Sequence, residues 1–308
     1  MRLAKSLVKG ILTYVPILNR YRKKGTGGTN SARYCYSVWL RHRSKIDNSL
    51  GWKPLKHVAE LGPGDSLGIG LTALLTGVDK LSAFDVVEHT EPEKNIKVLH
   101  EINALLKKAS PIPDNHEFPS CHPLLESYEF PNNLLSQNLD QRESIVTSIE
   151  RSLNRENNDT MVEYCPTWQS EVVASNGSLD LIYSQAVLEH VDDIEGLYES
   201  CAKWLKPGGL MSHDIDFSSH GITSAWDGYR AIPVWMWSII RGKRPYMINR
   251  VPLSTHIHLL EKNGFEILLK EVKAERSCLP REKLAKQFSD LTEDDRSASG
   301  VYILAKKI

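Results

Sequence analysis

The chain alternates between short apolar runs and longer stretches in which apolar residues recur at helical spacing. Runs at 58–61, 81–84, 179–184 and 210–217 are typical of buried strands, and 161–165, 265–272 and 300–305 fit the same pattern. Between them, 67–75, 95–109, 141–154 and 193–205 show helical spacing. This alternation predicts an α/β fold with a largely parallel sheet.

The first 45 residues differ in charge from the rest of the chain. Lys and Arg together number 38, as do Asp and Glu, yet no acidic residue precedes Asp47. Apolar residues at 3, 7, 8, 11, 12 and 15 form a helical stripe with basic residues off it, which is typical of a helix lying in a membrane surface. The alternative is that this helix packs on the protein's own core.

We divide the chain into three parts on this basis. Residues 1–24 form the basic amphipathic helix, and residues 25–50 form a glycine-rich link and a helix over 31–42 that we expect to cover the ligand cleft. Residues 51–308 form the main domain, interrupted by a polar insertion at about 92–160. Insertions of this kind commonly form lids.

Five scattered cysteines without a C-x-x-C pair indicate a reducing compartment and no disulfide framework. Neither a signal peptide nor a run long enough to span a bilayer is visible. We therefore expect a cytoplasmic protein, which the N-terminal arm would hold at the inner face of the cytoplasmic membrane.

The first core strand ends in Glu60-Leu61-Gly62-Pro63-Gly64-Asp65-Ser66. Glycines let the backbone approach a ligand, and the following helix points its N-terminus at it. The spacing differs from that of a dinucleotide site, and a carboxylate at Glu60 suits a cationic ligand better than a pyrophosphate. Asp85, after the second strand, is placed to accept hydrogen bonds from two ribose hydroxyls.

These segments, taken together with two others, resemble the S-adenosylmethionine-dependent methyltransferases of the Rossmann-like class. The two others are Ser178–Val191 and the helix end at Trp204–Gly209. The resemblance implies a three-layer sandwich around a mostly parallel seven-stranded sheet with an antiparallel last strand. It also implies S-adenosylmethionine as cofactor. The predicted cofactor contacts are Glu60, Gly62, Pro63, Gly64, Asp65, Ser66, Asp85, Val86, Gln185 and Ala186.

The acceptor side is predicted beyond the fifth strand, where ligands lie in open parallel sheets. An alcohol acceptor must lose a proton, so His213 or His220 is the candidate base, with Asp214 or Asp216 orienting it and His190 nearby. Two imidazoles and two carboxylates could bind a cation, but no H-x-x-x-H or H-x-E spacing supports it, so no metal is predicted.

Aromatic and basic residues crowd the segment from 226 to 250, which fits either sugar stacking or a Trp-rich core helix. The predicted acceptor-binding residues are Trp226, Tyr229, Asn249 and Arg250. The acidic body disfavours nucleic acid as a partner. The segment is similar to bacterial methyltransferases of polysaccharide and lipopolysaccharide biosynthesis, which implies a sugar hydroxyl of a glycan as acceptor.

Two other functions remain open. One is methylation of a small lipid or secondary metabolite, with the Trp-rich segment forming an apolar pocket. The other is a non-catalytic module that binds the cofactor and docks on a membrane or a glycan-assembly partner. The sequence predicts no oligomeric state.

Overall fold

The structure, a computed structural model, describes residues 2–14, 28–86, 90–134, 142–155, 161–166, 176–244 and 247–308. Seven strands are present in this part of the chain: β1 His57–Leu61, β2 Lys80–Phe84, β3 Val162–Cys165, β4 Leu179–Gln185, β5 Leu205–Asp216, β6 Phe265–Ala274 and β7 Ala298–Lys307. The helices are α1 Arg2–Leu12, α2 Ala32–Leu50, α3 Gly68–Leu75, α4 Pro92–Lys107, α5 Arg142–Leu153, α6 Ile194–Trp204, α7 Val234–Arg241, α8 Leu253–Lys262 and α9 Glu293–Ser297.

The strands form one sheet in the order β3-β2-β1-β4-β5-β7-β6. Strands β1 to β5 are parallel, and β7 runs antiparallel to both β5 and β6. The predicted seven-stranded, mostly parallel sheet with an antiparallel last strand is confirmed. The order reverses between β1 and β4, so the carboxyl ends of these two strands open the crevice in which ligands of such sheets bind.

Helices cover both faces of the sheet. On one face, Trp39 of α2 and Leu71 of α3 share an apolar cluster with Val58 and Leu181 of the strands. On the other face, α6 and α8 pack on residues such as Ala59, Ile182 and Met211. Successive strand residues therefore alternate between the two layers, as the three-layer sandwich requires.

Helix α2 is longer than predicted and continues to Leu50. Its last turns are polar in sequence, but Arg43 pairs with Asp47 at 2.9 Å across one turn, and Arg41 is fully buried. The Arg41 guanidinium donates to the backbone carbonyls of Pro113, Cys121 and Pro123. These bonds tie the described part of the insertion between α4 and α5 to α2.

A third apolar cluster lies on the segment that follows β5. Tyr229, Trp237 and Ile240 pack there with Met247 and Phe288. Helix α1 docks on this cluster through α7. A side-chain carbon at Gly10 would lie 2.0 Å from the Ile239 carbonyl oxygen, so only glycine permits this approach of the two helices.

Candidate functional site

The predicted cofactor turn lies where the sheet order reverses. Gly62 and Gly64 have φ values of +63° and +75°, which glycine adopts without strain. A side chain at Gly62 would lie 2.7 Å from a methyl group of Val187, just after β4. The turn is therefore bare backbone packed against the end of the neighbouring strand. Pro63 lies buried within it.

Glu60 points from β1 toward α3 and is buried. Its carboxylate accepts a hydrogen bond from the Gly70 amide at 3.1 Å and one from the Tyr183 hydroxyl at 3.0 Å. Burial raises the pKa of this carboxyl to about 8. Glu60 thus holds the helix behind the turn, and its predicted contact with a cationic ligand stays a prediction.

Thr29 fixes the outer side of the same turn, although it lies in the predicted flexible link. Its hydroxyl accepts hydrogen bonds from the amides of Asp65, at 2.9 Å, and Ser66, at 3.3 Å. The Ser66 hydroxyl donates back to the Thr29 carbonyl, and the Asn30 amide donates to Asp65. This end of the link therefore covers the turn, as we expect of a segment that closes over a cofactor.

Asp85 lies at the carboxyl end of β2, and the Phe84 carbonyl just before it accepts a hydrogen bond from the Gly62 amide. One Asp85 carboxylate oxygen accepts the Val86 amide at 2.7 Å, and only 6% of the residue is exposed. The Val86 side chain is half exposed. The position is the one that ribose recognition requires, while the contact itself stays a prediction.

Gln185 and Ala186 end β4 beside the turn. The Gln185 amide bonds to the His42 ring at 3.2 Å and donates to Asp214 at 2.8 Å, so it links α2 to β5. Ala186 has φ = +52°, a left-handed conformation that is uncommon for a residue with a side chain. Strained residues of this kind gather at ligand sites, which supports the predicted position of these two residues.

The predicted acid–base segment is divided between the two faces of the sheet. The His213 ring is buried toward α6 and α8, and its Nδ1 lies 2.8 Å from the Ser184 hydroxyl. Burial lowers the pKa of His213 to about 3. Asp214 faces the α2 side, and burial raises its pKa to about 8. Only Asp216 and His220 meet, with His220 Nε2 3.2 Å from the Asp216 carboxylate.

His190 lies beside this pair, and so does Glu189, which the sequence pattern does not single out. The ring centroids of His190 and His220 lie 5.0 Å apart. Glu189 is 2% exposed, and neither of its carboxylate oxygens has a hydrogen-bonding partner in the described part of the chain. The available signal is its position beside His190, directly after β4.

Glu189, His190, Asp216 and His220 form what we call the Glu189 cluster. Asn249 holds its Glu189 turn, residues 188–191, in place. Its side-chain amide donates to the carbonyls of Leu188 and Val191, both at 2.8 Å, and its backbone amide donates to the Glu189 carbonyl at 2.6 Å. The polar groups of Asn249 are therefore engaged with the protein. Its predicted contact with an acceptor stays a prediction, and its observed role is to position the Glu189 turn.

A cleft opens directly beside the cluster. Its lining comprises Glu189, Asp216, Phe217, Ser218, Tyr229, Ile248, Asn249, Arg250 and Val251. Arg250 stacks over the Trp237 ring, with the guanidinium carbon 4.3 Å from the ring centroid, and its buried Nε has no partner among the described residues. Burial lowers the pKa of Arg250 to about 10.

Trp226 lies outside the cleft lining. Its indole donates to the Arg276 carbonyl, and the Arg230 guanidinium stacks over it. Of the four predicted acceptor-binding residues, the structure thus brings Tyr229, Asn249 and Arg250 to one cleft and places Trp226 beyond its wall. The roles of all four in binding an acceptor stay predictions.

Comparison with known proteins bears on this site. Residues 126–270 match the model of a methyltransferase domain family. The match spans β3, β4 and β5, the Glu189 cluster and the cleft. Over these residues the chain is similar to methyltransferase domains, and the mostly parallel sheet is the one expected of the Rossmann-like class.

A curated ubiquinone biosynthesis O-methyltransferase from Pectobacterium atrosepticum is 30% identical over 90 residues, which is 29% of this chain and 32% of the relative. The chain thus matches about a third of that relative's length. Among solved structures, a methyltransferase from Methanosarcina mazei is 15% identical, covering 86% of this chain and 97% of its own, with a TM-score of 0.46. One from Mesorhizobium loti is 13% identical, covering 91% and 100%, with a TM-score of 0.43.

Proposed function

We propose that the protein methylates a hydroxyl group, with a sugar of a cell-surface glycan or its lipid-linked precursor as acceptor. One observation carries the proposal. Val187 packs on the cofactor turn at Gly62, and Glu189, two residues further along, lines the cleft. The place for the methyl donor and the place for an acceptor therefore adjoin.

The cleft has the chemistry that a polyol requires. Carboxylates at Glu189 and Asp216 accept hydrogen bonds from hydroxyl groups, and the free Nε of Arg250 donates one. The Tyr229 ring offers an aromatic wall. This combination of acceptors, a donor and an aromatic face favours a sugar as the acceptor, while Phe217, Ile248 and Val251 supply the apolar part of the lining.

When bound, S-adenosylmethionine supplies a methyl group on its sulfonium. The chain's residues hold the acceptor oxygen in line with that methyl group, which accounts for much of the acceleration in displacement reactions. Methylation of a hydroxyl oxygen would require that hydroxyl group to lose its proton. The cluster of Glu189, His190, Asp216 and His220 is the polar group at the cleft that can receive it.

The proposal is tested by turnover with the purified protein. We expect adenosylhomocysteine and a methylated sugar from glycan or lipid-linked oligosaccharide acceptors. Glu189→Gln is expected to remove turnover while cofactor binding is kept. Turnover confined to phenolic or other apolar acceptors would favour the lipid or metabolite alternative, which the ubiquinone-pathway relative supports. Cofactor binding without turnover on any acceptor would favour the non-catalytic module.

We also propose that an anionic membrane surface is a partner, through α1 and α7 together. The apolar stripe of α1 is divided: Leu3 and Leu7 pack on the third cluster, whereas Val8 and Ile11 are more than half exposed. On the adjoining helix α7, Trp235 is 64% exposed. Val15 and the rest of the arm to residue 24 fall outside the described residues.

Charge supports this partner. Lys5 and Lys9 are exposed on α1 beside the apolar side chains, and each basic residue near an anionic bilayer contributes about 1 kcal/mol. No described helix combines the length and apolar character that crossing a bilayer needs. The geometry fits a helix pair lying in the headgroup region.

Deleting residues 1–24 should release the protein from membranes, but it would also uncover the apolar face of α7. A double variant, Ile11→Ser with Trp235→Ser, removes only exposed side chains. We expect it to lose co-sedimentation with phosphatidylglycerol vesicles while keeping turnover on a soluble acceptor. Leu124→Ser, which alters an exposed apolar residue of the insertion, is the control. Undiminished sedimentation of the double variant would refute the proposal.

A further inference from the structure

We propose that Glu189, His190 and His220 form a binding site for a divalent transition-metal ion at the wall of the cleft. One ligand-type atom from each residue lies within 4.8 Å of the other two. That spacing is close enough for small side-chain movements to bring all three to one ion. The sequence pattern predicts no metal, because His213, Asp214, Asp216 and His220 lack H-x-x-x-H and H-x-E spacing, and it does not single out Glu189.

Unpartnered atoms point to a missing ligand. Both carboxylate oxygens of Glu189 and Nδ1 of His190 are buried and unbonded within the described residues. A buried carboxylate without a partner is costly, so native proteins pair such groups or place a cation on them.

The surroundings of the three residues resemble the outer shell of a metal site. Asp216 lies 3.2 Å from Nε2 of His220, which leaves Nδ1 of that ring as the metal-facing atom. Carboxylate–histidine pairs of this kind orient imidazole ligands. Asn249 fixes the turn that carries Glu189 and His190. His220 itself is held at φ = +47°, a strained conformation that aims its ring.

The donor set selects the class of ion. Two imidazoles and one carboxylate suit Zn²⁺, Co²⁺, Mn²⁺ or Fe²⁺ rather than Ca²⁺, which takes oxygen ligands. Because Glu189 lines the cleft, a coordination position would face an acceptor there. Coordination lowers the pKa of a bound hydroxyl group, so the ion would ease the loss of the proton in methyl transfer. This catalytic consequence rests on the proposed function, whereas the binding of the ion does not.

The test is titration of chelator-treated full-length protein with Co²⁺, followed by visible absorption, and with Zn²⁺, followed by calorimetry. We expect saturation at one ion per chain. Glu189→Gln and His220→Asn should each weaken binding at least tenfold. Asparagine tolerates the left-handed backbone at position 220, so this second variant is expected to fold. His258→Gln, at an exposed histidine on α8, is the matched control and should bind as the wild type does.

The possible results separate this inference from the proposed function. Absence of saturable binding, or equal binding by Glu189→Gln, would overturn the metal site and leave the cluster as an acid–base group. Metal binding without turnover of a glycan would overturn only the acceptor. Glycan turnover that survives the chelator unchanged would overturn the catalytic use of the ion.

Discussion

Replacing His256 with glutamine tests the packing that holds α8 on the sheet beside the cleft. His256 is fully buried; its Nδ1 lies 3.0 Å from the Tyr198 hydroxyl, and its ring packs against Phe217 at the end of β5. Burial lowers its pKa from 6.5 to about 4. Between pH 6.5 and about 4, the His256 ring is therefore mostly protonated in the unfolded chain and mostly unprotonated in the folded chain.

The sign and size of the effect follow from this difference. Because the unfolded state binds more protons, the free energy of unfolding falls as the pH drops from 6.5 toward 4. At pH 4.5 the unfolded imidazole is almost fully charged and the folded one only about a quarter charged. His256 alone therefore removes about 2.5 kcal/mol of stability between pH 7.5 and 4.5. Glutamine does not titrate, so His256→Gln should lack this loss.

The assay is urea unfolding followed by tryptophan fluorescence, at pH 7.5 and 4.5, for the wild type and two variants. Subtracting the variant's pH dependence from that of the wild type cancels every other titrating group. His213, the nearest buried imidazole, stays uncharged in this range because its pKa is about 3. His258→Gln, two residues away and exposed, should keep the wild-type pH dependence. Equal pH dependence for the wild type and His256→Gln would refute the buried, neutral position of this ring.

Three further substitutions test the turn, the insertion and the cleft. In Gly62→Ala, the alanine must adopt a left-handed conformation, which costs about 1–2 kcal/mol, and its side chain clashes with Val187. Calorimetry should therefore show cofactor affinity lowered by about tenfold. Arg41→Leu leaves several buried carbonyls unbonded and should lower the free energy of unfolding by about 3 kcal/mol in urea titrations; unchanged stability would contradict its role. Asn249→Ala should lower kcat with cofactor affinity retained, because the Glu189 turn loses its clamp; a change in KM alone would instead indicate a contact with the acceptor.

The sheet could be predicted because its central strands, such as β1 and β4, are largely apolar and buried and end in turns of distinctive composition. The burial of α2 could not, since Arg41 and His42 are polar in sequence yet fully buried. Most of their polar atoms bond to partners far along the chain, the insertion carbonyls for Arg41 and Ser212 and Gln185 for His42. Tertiary hydrogen bonds of this kind leave no periodic signal in the sequence.

The carboxyl ends of the strands could be predicted as the place to look for a site, but the contacts of the residues there could not. His213 and Asp214 are adjacent on a strand and must face opposite layers, so strand alternation alone could have separated them. Strand alternation could not have predicted the burial of Glu189. A charged residue that follows an apolar pair is expected at the surface, whereas the turn bonded to Asn249 buries it. No sequence pattern distinguishes Thr29 from the other residues of its glycine-rich link.

Calorimetric titration with S-adenosylmethionine and adenosylhomocysteine, on the wild type and on Asp85→Ala, tests the central claim most directly. The claim is that the bare turn at Gly62 and Gly64, with Asp85 beside it, holds the cofactor. We expect saturable binding of both ligands at one per chain, and a loss of binding in Asp85→Ala, whose fold is checked by thermal unfolding. Binding of neither ligand by the wild type, or undiminished binding by the folded variant, would contradict the account.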